Sequence, residues 1–348
     1  VQLKYWHYDL KLVNTWRIAS GLGGAGGNTY SVVFVELRDE KGRSGIGESA
    51  PSSRYKENSK TVEEFLTRVD ANRLSFDDLA GSMRYLDEVA PGSYAAKCAV
   101  NLALLDGTAR ERKVPIYDFL KLGFTEGKHV TSFSIGIDKP DVIRRKVEQA
   151  EAYPVLKLKV GSPDDEQNLA ALRSVAPKKR VRVDANEGWK TREEALKRLE
   201  WLAQDKNIEF IEQPMPASSG REDMAWLKER SPLPIFGDES CHHVSDVEHC
   251  GECFHGVNVK LVKTGGISGA YDVLAAARKA GLKTMIGCMI ESSVLISAAA
   301  QLAELADHLD IDGNLLISND PYVGPTSEKG VVSFAKAVEA NGLRVRKR

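Results

Sequence analysis

From about residue 129 the chain settles into one repeat, an apolar strand followed by a helix, and keeps it to about residue 316. Strands are read at 130–137, 155–160, 180–185, 208–212, 233–237, 256–261, 283–288 and 309–316. Helices are read between them at 140–152, 164–175, 190–204, 221–230, 245–253, 266–280 and 292–306. Strands alternating with helices of this length argue for parallel β-α-β units. Eight such strands close into a barrel more readily than they spread into an open sheet. The expected fold is therefore α/β, a modified TIM barrel of the form (β/α)7β.

The region before the repeat reads differently. Residues 1–50 look like strands, interrupted by a glycine-rich loop at 21–27 and resuming at Tyr30–Leu37. Helical spacing of apolar residues follows at 61–70 and from Ser93 to about Arg112. These elements make an α+β capping domain over 1–125, next to a barrel domain over 126–322. The tail, 323–348, holds a short strand at Gly330–Ala335 and is expected to return to the cap. No extended linker separates the two parts, so they are expected to pack together.

Composition narrows the function classes. The formal net charge of −1 offers no electrostatic support for a nucleic-acid partner. No apolar run approaches the roughly 20 residues of a membrane span. Five scattered cysteines do not make a disulfide framework and suit reduced thiols in the cytoplasm. The chain opens at Val1, which leaves open a leader removed ahead of it and hence export.

A parallel barrel places its chemistry at the carboxyl ends of its strands. The third strand ends Val183-Asp184-Ala185-Asn186, the fourth Ile211-Glu212-Gln213-Pro214, and the fifth Gly237-Asp238-Glu239-Ser240. Three consecutive strands thus bring one carboxylate each to the same rim. Ionised acids so close repel one another unless a cation joins them. Oxygen ligands suit Mg2+ or Mn2+, and the lack of Cys or His at these places argues against zinc.

Lysines complete the pattern. The second strand ends Leu156-Lys157-Leu158-Lys159-Val160, and alternation puts both lysines on one face. The sixth carries Asn258-Val259-Lys260. Second and sixth strands are opposite in a ring of eight, so Lys159 and Lys260 face each other across the mouth. A substrate carboxylate on the metal would hold its α-carbon between them. One lysine could remove the α-proton and the other return a proton to the opposite face, a 1,1-proton transfer through an enediolate that the metal stabilises. A lysine base needs a lowered pKa, which the nearby charge of Lys157 would supply. Lys263 is the rival of Lys260. It lies in the following loop, so Lys260 is preferred.

Taken together, Lys157-x-Lys159, Val-Asp184-Ala-Asn, Ile-Glu212-Gln-Pro, Asp238-Glu-Ser and Asn-Val-Lys260 resemble the enolase superfamily. More closely, they resemble its muconate lactonizing enzyme subgroup and the dipeptide epimerases that act on L-Ala-D/L-Glu. The likeness extends to Gly45-Ile-Gly-Glu-Ser-Ala-Pro51 and the Ala99–Ala109 helix segment in the cap. A Lys or His base working with Mg2+ is established chemistry of that superfamily. The resemblance implies that Asp184, Glu212 and Asp238 bind Mg2+, that Lys159 and Lys260 are the paired acid and base, and that Lys157 sits at the enolate. It implies a dipeptide substrate from murein turnover, its ammonium group held by Asp310-x-Asp312 on the eighth strand. Those two inward acids, away from the metal, call for a cation on physical grounds as well. The family pattern also brings Ser134, Cys288 and Ile290 to the substrate, and many of its barrels form homo-oligomers. Some relatives grip a glutamate side chain with an arginine in a mobile lid. The lid here, Gly21–Gly27, has none, and Arg54 is expected to substitute from the next capping loop. The alternatives within the subgroup are o-succinylbenzoate synthase, muconate cycloisomerase and N-succinylamino acid racemase, none of whose substrates needs an ammonium site.

Other signals weigh less. Gly21-x-Gly-x-x-Gly26 matches a dinucleotide fingerprint but opens into a strand, not a helix. Cys250-x-x-Cys253, flanked by His249 and His255, has zinc-ligand residue types, but no second pair completes it. His242 and His243 are read as loop residues.

Overall fold

Each apolar run of the repeat becomes a strand in the computed structural model, which describes residues 1–19, 21, 22 and 27–348. The barrel strands are Phe133–Ile135, Val155–Lys159, Arg180–Asp184, Ile208–Glu212, Ile235–Gly237, Gly256–Val259, Lys283–Gly287 and His308–Asp310. They pair in parallel in chain order. A parallel bridge between Thr131 and Leu309 joins the last strand to the approach of the first and closes the ring. Seven helices cover the outside, the first entered through Pro140 and the third capped by Thr191, whose side chain accepts from the Glu194 N–H. Inside, Phe210 and Phe236 stack at 4.2 Å beside Met285 and form a small core of their own. Phe210 is two residues before Glu212, so alternation stacks the site on that apolar floor.

Before the barrel, Gln2–Lys11, Thr29–Arg38 and Ser44–Ser49 form an antiparallel sheet that packs on the helix Tyr94–Glu111. Two glycines make that approach possible. A Cβ on Gly47 would lie 1.9 Å from the Ala99 carbonyl oxygen, and one on Gly45 2.0 Å from that of Ala103. The tail returns to the same helix: Leu343 N–H donates to Asp106 at 2.7 Å, and Arg110 donates to the Val345 carbonyl at 3.1 Å.

The structure departs from the sequence reading in a few places. A helix at Leu79–Val89, capped by Asp78, was not expected. Gly81 in its first turn weakens the helical signal there. The eighth strand stops at Asp310 and gives way to a 3-10 turn at Gly313–Leu315, so Asp312 follows the strand. The sixth stops at Val259, and Lys260 becomes the first residue of a turn into the short helix Leu261–Thr264. Gly21–Leu22 pairs with Arg17–Ile18, but Ser20 and residues 23–26, most of the expected lid and fingerprint, lie outside the described residues. No helix among the described residues is long and apolar enough to cross a membrane.

Candidate active site

The strand register sets the three acids side by side. Lys159 is level with Asp184, and Asp184 with Glu212, across neighbouring strands. Asp238 follows the last residue of the fifth strand. All three are fully buried.

Lysines supply the positive charge that faces them. Lys157 Nζ lies 3.0 Å from Asp184, 2.7 Å from Glu212 and 2.6 Å from Asp310. Lys159 Nζ is 2.6 Å from Asp184. Across the ring, Lys260 Nζ is 2.8 Å from one oxygen of Asp238 and Lys263 Nζ is 2.6 Å from the other. Lys263 also donates to the Asp238 and Asn258 carbonyls, which ties it to the strand ends as a brace. Lys260 has a single carboxylate contact and slightly more exposure, 6% against 1%.

Burial and charge work against each other here. Burial raises the Asp184 carboxyl, but Lys157 and Lys159 outweigh it and bring the group down to about 2. Burial also opposes ionisation of Asp238, yet Lys260 and Lys263 hold it well below the usual carboxylate range. Glu212 goes the other way, pushed up to about 7 by burial and the repulsion of Asp184. Lys260 and Lys157 are raised, not lowered. Burial favours their neutral form, but Asp238, Tyr55 and Glu212 hold Lys260 well above its ordinary value, and Asp184, Asp310 and Glu212 do the same to Lys157. The carboxylates dominate the local field, not the neighbouring ammonium.

The donor set suits a hard cation. Glu212 Oε2 and Asp238 Oδ2 are buried, touch lysine nitrogens, and make no hydrogen bond of good geometry. With Asp184 they offer carboxylate oxygens from three consecutive strand ends, the ligand type that Mg2+ takes. Among the described residues, no three Asp, Glu, His or Cys side chains converge to hold an ion.

On the eighth strand the two acids differ. Asp310 accepts from Ser132 Oγ at 2.6 Å and pairs with Lys157. Asp312 accepts from Ser134 N–H at 2.7 Å and contacts Ser134 Oγ at 3.3 Å, and makes no ion pair among the described residues. Burial and the charge of Asp310 push Asp312 up to about 7. Cys288 lies 4.0 Å from Asp312 through its sulfur, and Ile290 is buried in the same loop. Ser134, Cys288, Asp310 and Asp312 thus stand together.

Arg54 does not join them. Its guanidinium is engaged by Glu187 in a bidentate pair at 2.5 and 2.6 Å. Cys250 and Cys253 contact the Ser240 and Arg221 carbonyls through sulfur. His242 packs edge-on against Tyr55, and His243 lies against Tyr94. Several site residues escape the sequence reading. Ser132, Gln213, Glu239 and Asn258 are buried or nearly so, and Asn258 donates to Glu212 at 2.7 Å. Alternation signalled Ser132 and Asn258, two residues from Ser134 and Lys260. Gln213 Oε1 accepts from the N–H of Asp238 and of Ser240, a loop bond that no periodicity announces.

Comparison with known proteins places this geometry. Residues 142–332 match the enolase C-terminal domain-like family, and residues 21–121 match the N-terminal domain of mandelate racemase / muconate lactonizing enzyme. An L-Ala-D/L-amino acid epimerase of Pedosphaera parvula is 64% identical over 99% of both chains. An L-Ala-D/L-Glu epimerase of Bacteroides thetaiotaomicron is 37% identical over 96% of this chain and 85% of its own. The crystal structure of a dipeptide epimerase from Enterococcus faecalis V583, complexed with Mg and L-Leu-L-Tyr, is similar with a TM-score of 0.88. It is 27% identical, over 99% of this chain and 98% of that one.

Proposed function

The chain belongs to the mandelate racemase / muconate lactonizing enzyme family, and we propose that it is a dipeptide epimerase, an isomerase that inverts the second residue of L-Ala-D/L-Xaa. One observation carries this reading. Two lysines from opposite sides of the barrel, Lys159 and Lys260, flank an arc of three buried acids, while a further acid, Asp312, just past the eighth strand, makes no ion pair among the described residues.

In this reading Asp184, Glu212 and Asp238 would hold Mg2+, which would supply a Lewis acid for the substrate carboxylate. Lys159 takes the α-proton from one face and Lys260 returns one to the other, or the reverse for the opposite epimer. Lys157 stays charged and faces the oxygen on which negative charge grows. Asp310 is already paired with Lys157, so Asp312 is the main acceptor for the substrate ammonium, with Asp310 beside it. Ser134 orients Asp312, and Cys288 and Ile290 line the dipeptide's path. A free ammonium requirement favours this reaction over the succinylated and muconate substrates of the subgroup. The five unbridged thiols suit a cytoplasmic setting.

Proton NMR in D2O with Mg2+ tests the reading on L-Ala-L-Xaa dipeptides. The expected result is loss of the α-proton signal of the second residue as the diastereomer appears. Absence of exchange in every dipeptide by metal-loaded protein would overturn it.

A further inference from the structure

Arg54 belongs to the capping turn Ser53–Tyr55, beside the barrel mouth. Tyr55 of the same turn meets the His242 ring edge-on at 4.9 Å, and its hydroxyl feels the charges of Asp238 and Lys260. The turn therefore stands beside the acid-bearing side of the mouth. In the epimerase reading, a dipeptide reaching from Asp312 to the acid arc would bring its second residue to this side of the mouth.

Arg54 is not free to meet that side chain. Nε and Nη2 donate to the two oxygens of Glu187 at 2.5 and 2.6 Å. Glu187 is held in turn: the Ala217 N–H donates to its carboxylate at 2.7 Å, and its own N–H donates to the Gln213 carbonyl at 2.9 Å. It sits at φ 65°, directly after Asn186 at φ 41°, a left-handed step that glutamate rarely takes. The loop after the third strand thus aims a carboxylate at the cap. The buried lysines of the mouth are likewise matched, to Asp184, Glu212, Asp238 and Asp310. The sequence from 18 to 28 contains no Lys or Arg.

We propose that the Arg54–Glu187 pair is a charge filter on the second residue of the dipeptide, admitting neutral side chains and disfavouring acidic ones. This rests on the epimerase reading above. An acidic side chain would enter beside Glu187 with Arg54 and the buried lysines of the mouth already paired to carboxylates, and like-charge juxtaposition of this kind is a strong basis for discrimination.

The test compares L-Ala-L-Glu with its neutral isostere L-Ala-L-Gln. The wild-type kcat/KM is expected to favour the glutamine dipeptide by about tenfold or more. Glu187→Gln, which releases Arg54, should narrow or reverse that ratio by about tenfold, chiefly through a lower KM for L-Ala-L-Glu. Arg54→Met, which leaves Glu187 unmatched, should raise L-Ala-L-Lys relative to L-Ala-L-Gln and depress L-Ala-L-Glu further. Equal wild-type kcat/KM for the Glu and Gln dipeptides would overturn the filter and leave the epimerase reading intact. Variants that change all three dipeptides by one common factor would also overturn it, reducing the pair to a structural tie. No wild-type turnover of any dipeptide would overturn both.

Discussion

In the barrel, Lys157, Lys159 and Lys260 stand at strand ends and are 2%, 7% and 6% exposed, whereas the side chain of Arg54 in the cap stands on a three-residue turn and is 45% exposed. The acids that face them follow the same division. Asp184 and Glu212 end regular strands with hydrogen-bonded neighbours on both sides, while Glu187 hangs from a left-handed loop. The contrast separates two tasks. Proton transfer needs groups fixed on a stiff frame, which packed strands provide. Choosing among side chains needs groups that vary without disturbing that frame, which turns and loops provide.

If that division holds, damage to the barrel should abolish the reaction and damage to the cap should not. The largest effect is expected from stripping divalent metal with a chelator, or from Asp238→Asn. Either should reduce kcat on the order of a thousandfold or more, and added Mg2+ should restore only the wild type. Activity indifferent to chelation would erase the distinction between the acid arc and an ordinary salt-bridge network.

A smaller effect should come from the eighth strand. Asp312→Asn should raise KM for dipeptides with a free amine by roughly ten- to a hundredfold, the usual value of a charge-assisted hydrogen bond, with less change in kcat. Burial and Asp310 bring the Asp312 carboxyl up to about 7. Binding needs its anion, so kcat/KM should fall as pH drops through about 7, and the Asn variant should lose that inflection. An unchanged KM in the variant would remove the reason for assigning the ammonium to this strand.

The mildest effect on the reaction should come from the cap interior. Gly47→Ala would drive a Cβ to 1.9 Å from the Ala99 carbonyl oxygen. The helix or the sheet must shift, at a cost of roughly 1–3 kcal/mol. Urea unfolding should show that loss, while kcat/KM of the folded enzyme stays close to that of the wild type. A large catalytic defect would mean that the cap positions the chemistry as well as the substrate.

Much of the barrel was legible because its signal is periodic. Val155–Lys159 alternates Leu and Lys, and the helices between strands repeat at helical spacing, so strand ends and the acids on them could be located from spacing alone. The resemblance to a known family then supplied roles for residues such as Cys288 and Ile290 that no spacing marks. The pairings were not legible. Arg54 and Glu187 are 133 residues apart, and nothing local to either announces the other. Arg54 was therefore read as a grip for a glutamate-like side chain, in place of a lid arginine. The helix at Leu79–Val89 was hidden by its own Gly81.

The central claim is that two lysines act on opposite faces of one α-carbon. It is tested most directly by following α-proton exchange in D2O for Lys159→Ala and Lys260→Ala, each with a dipeptide and with its second-residue epimer. The account predicts that neither variant interconverts the epimers. It also predicts that each variant still exchanges the α-proton of one epimer without inverting it, the two variants retaining opposite epimers. Wild-type epimerisation by either variant, or exchange of both epimers by both, would contradict it.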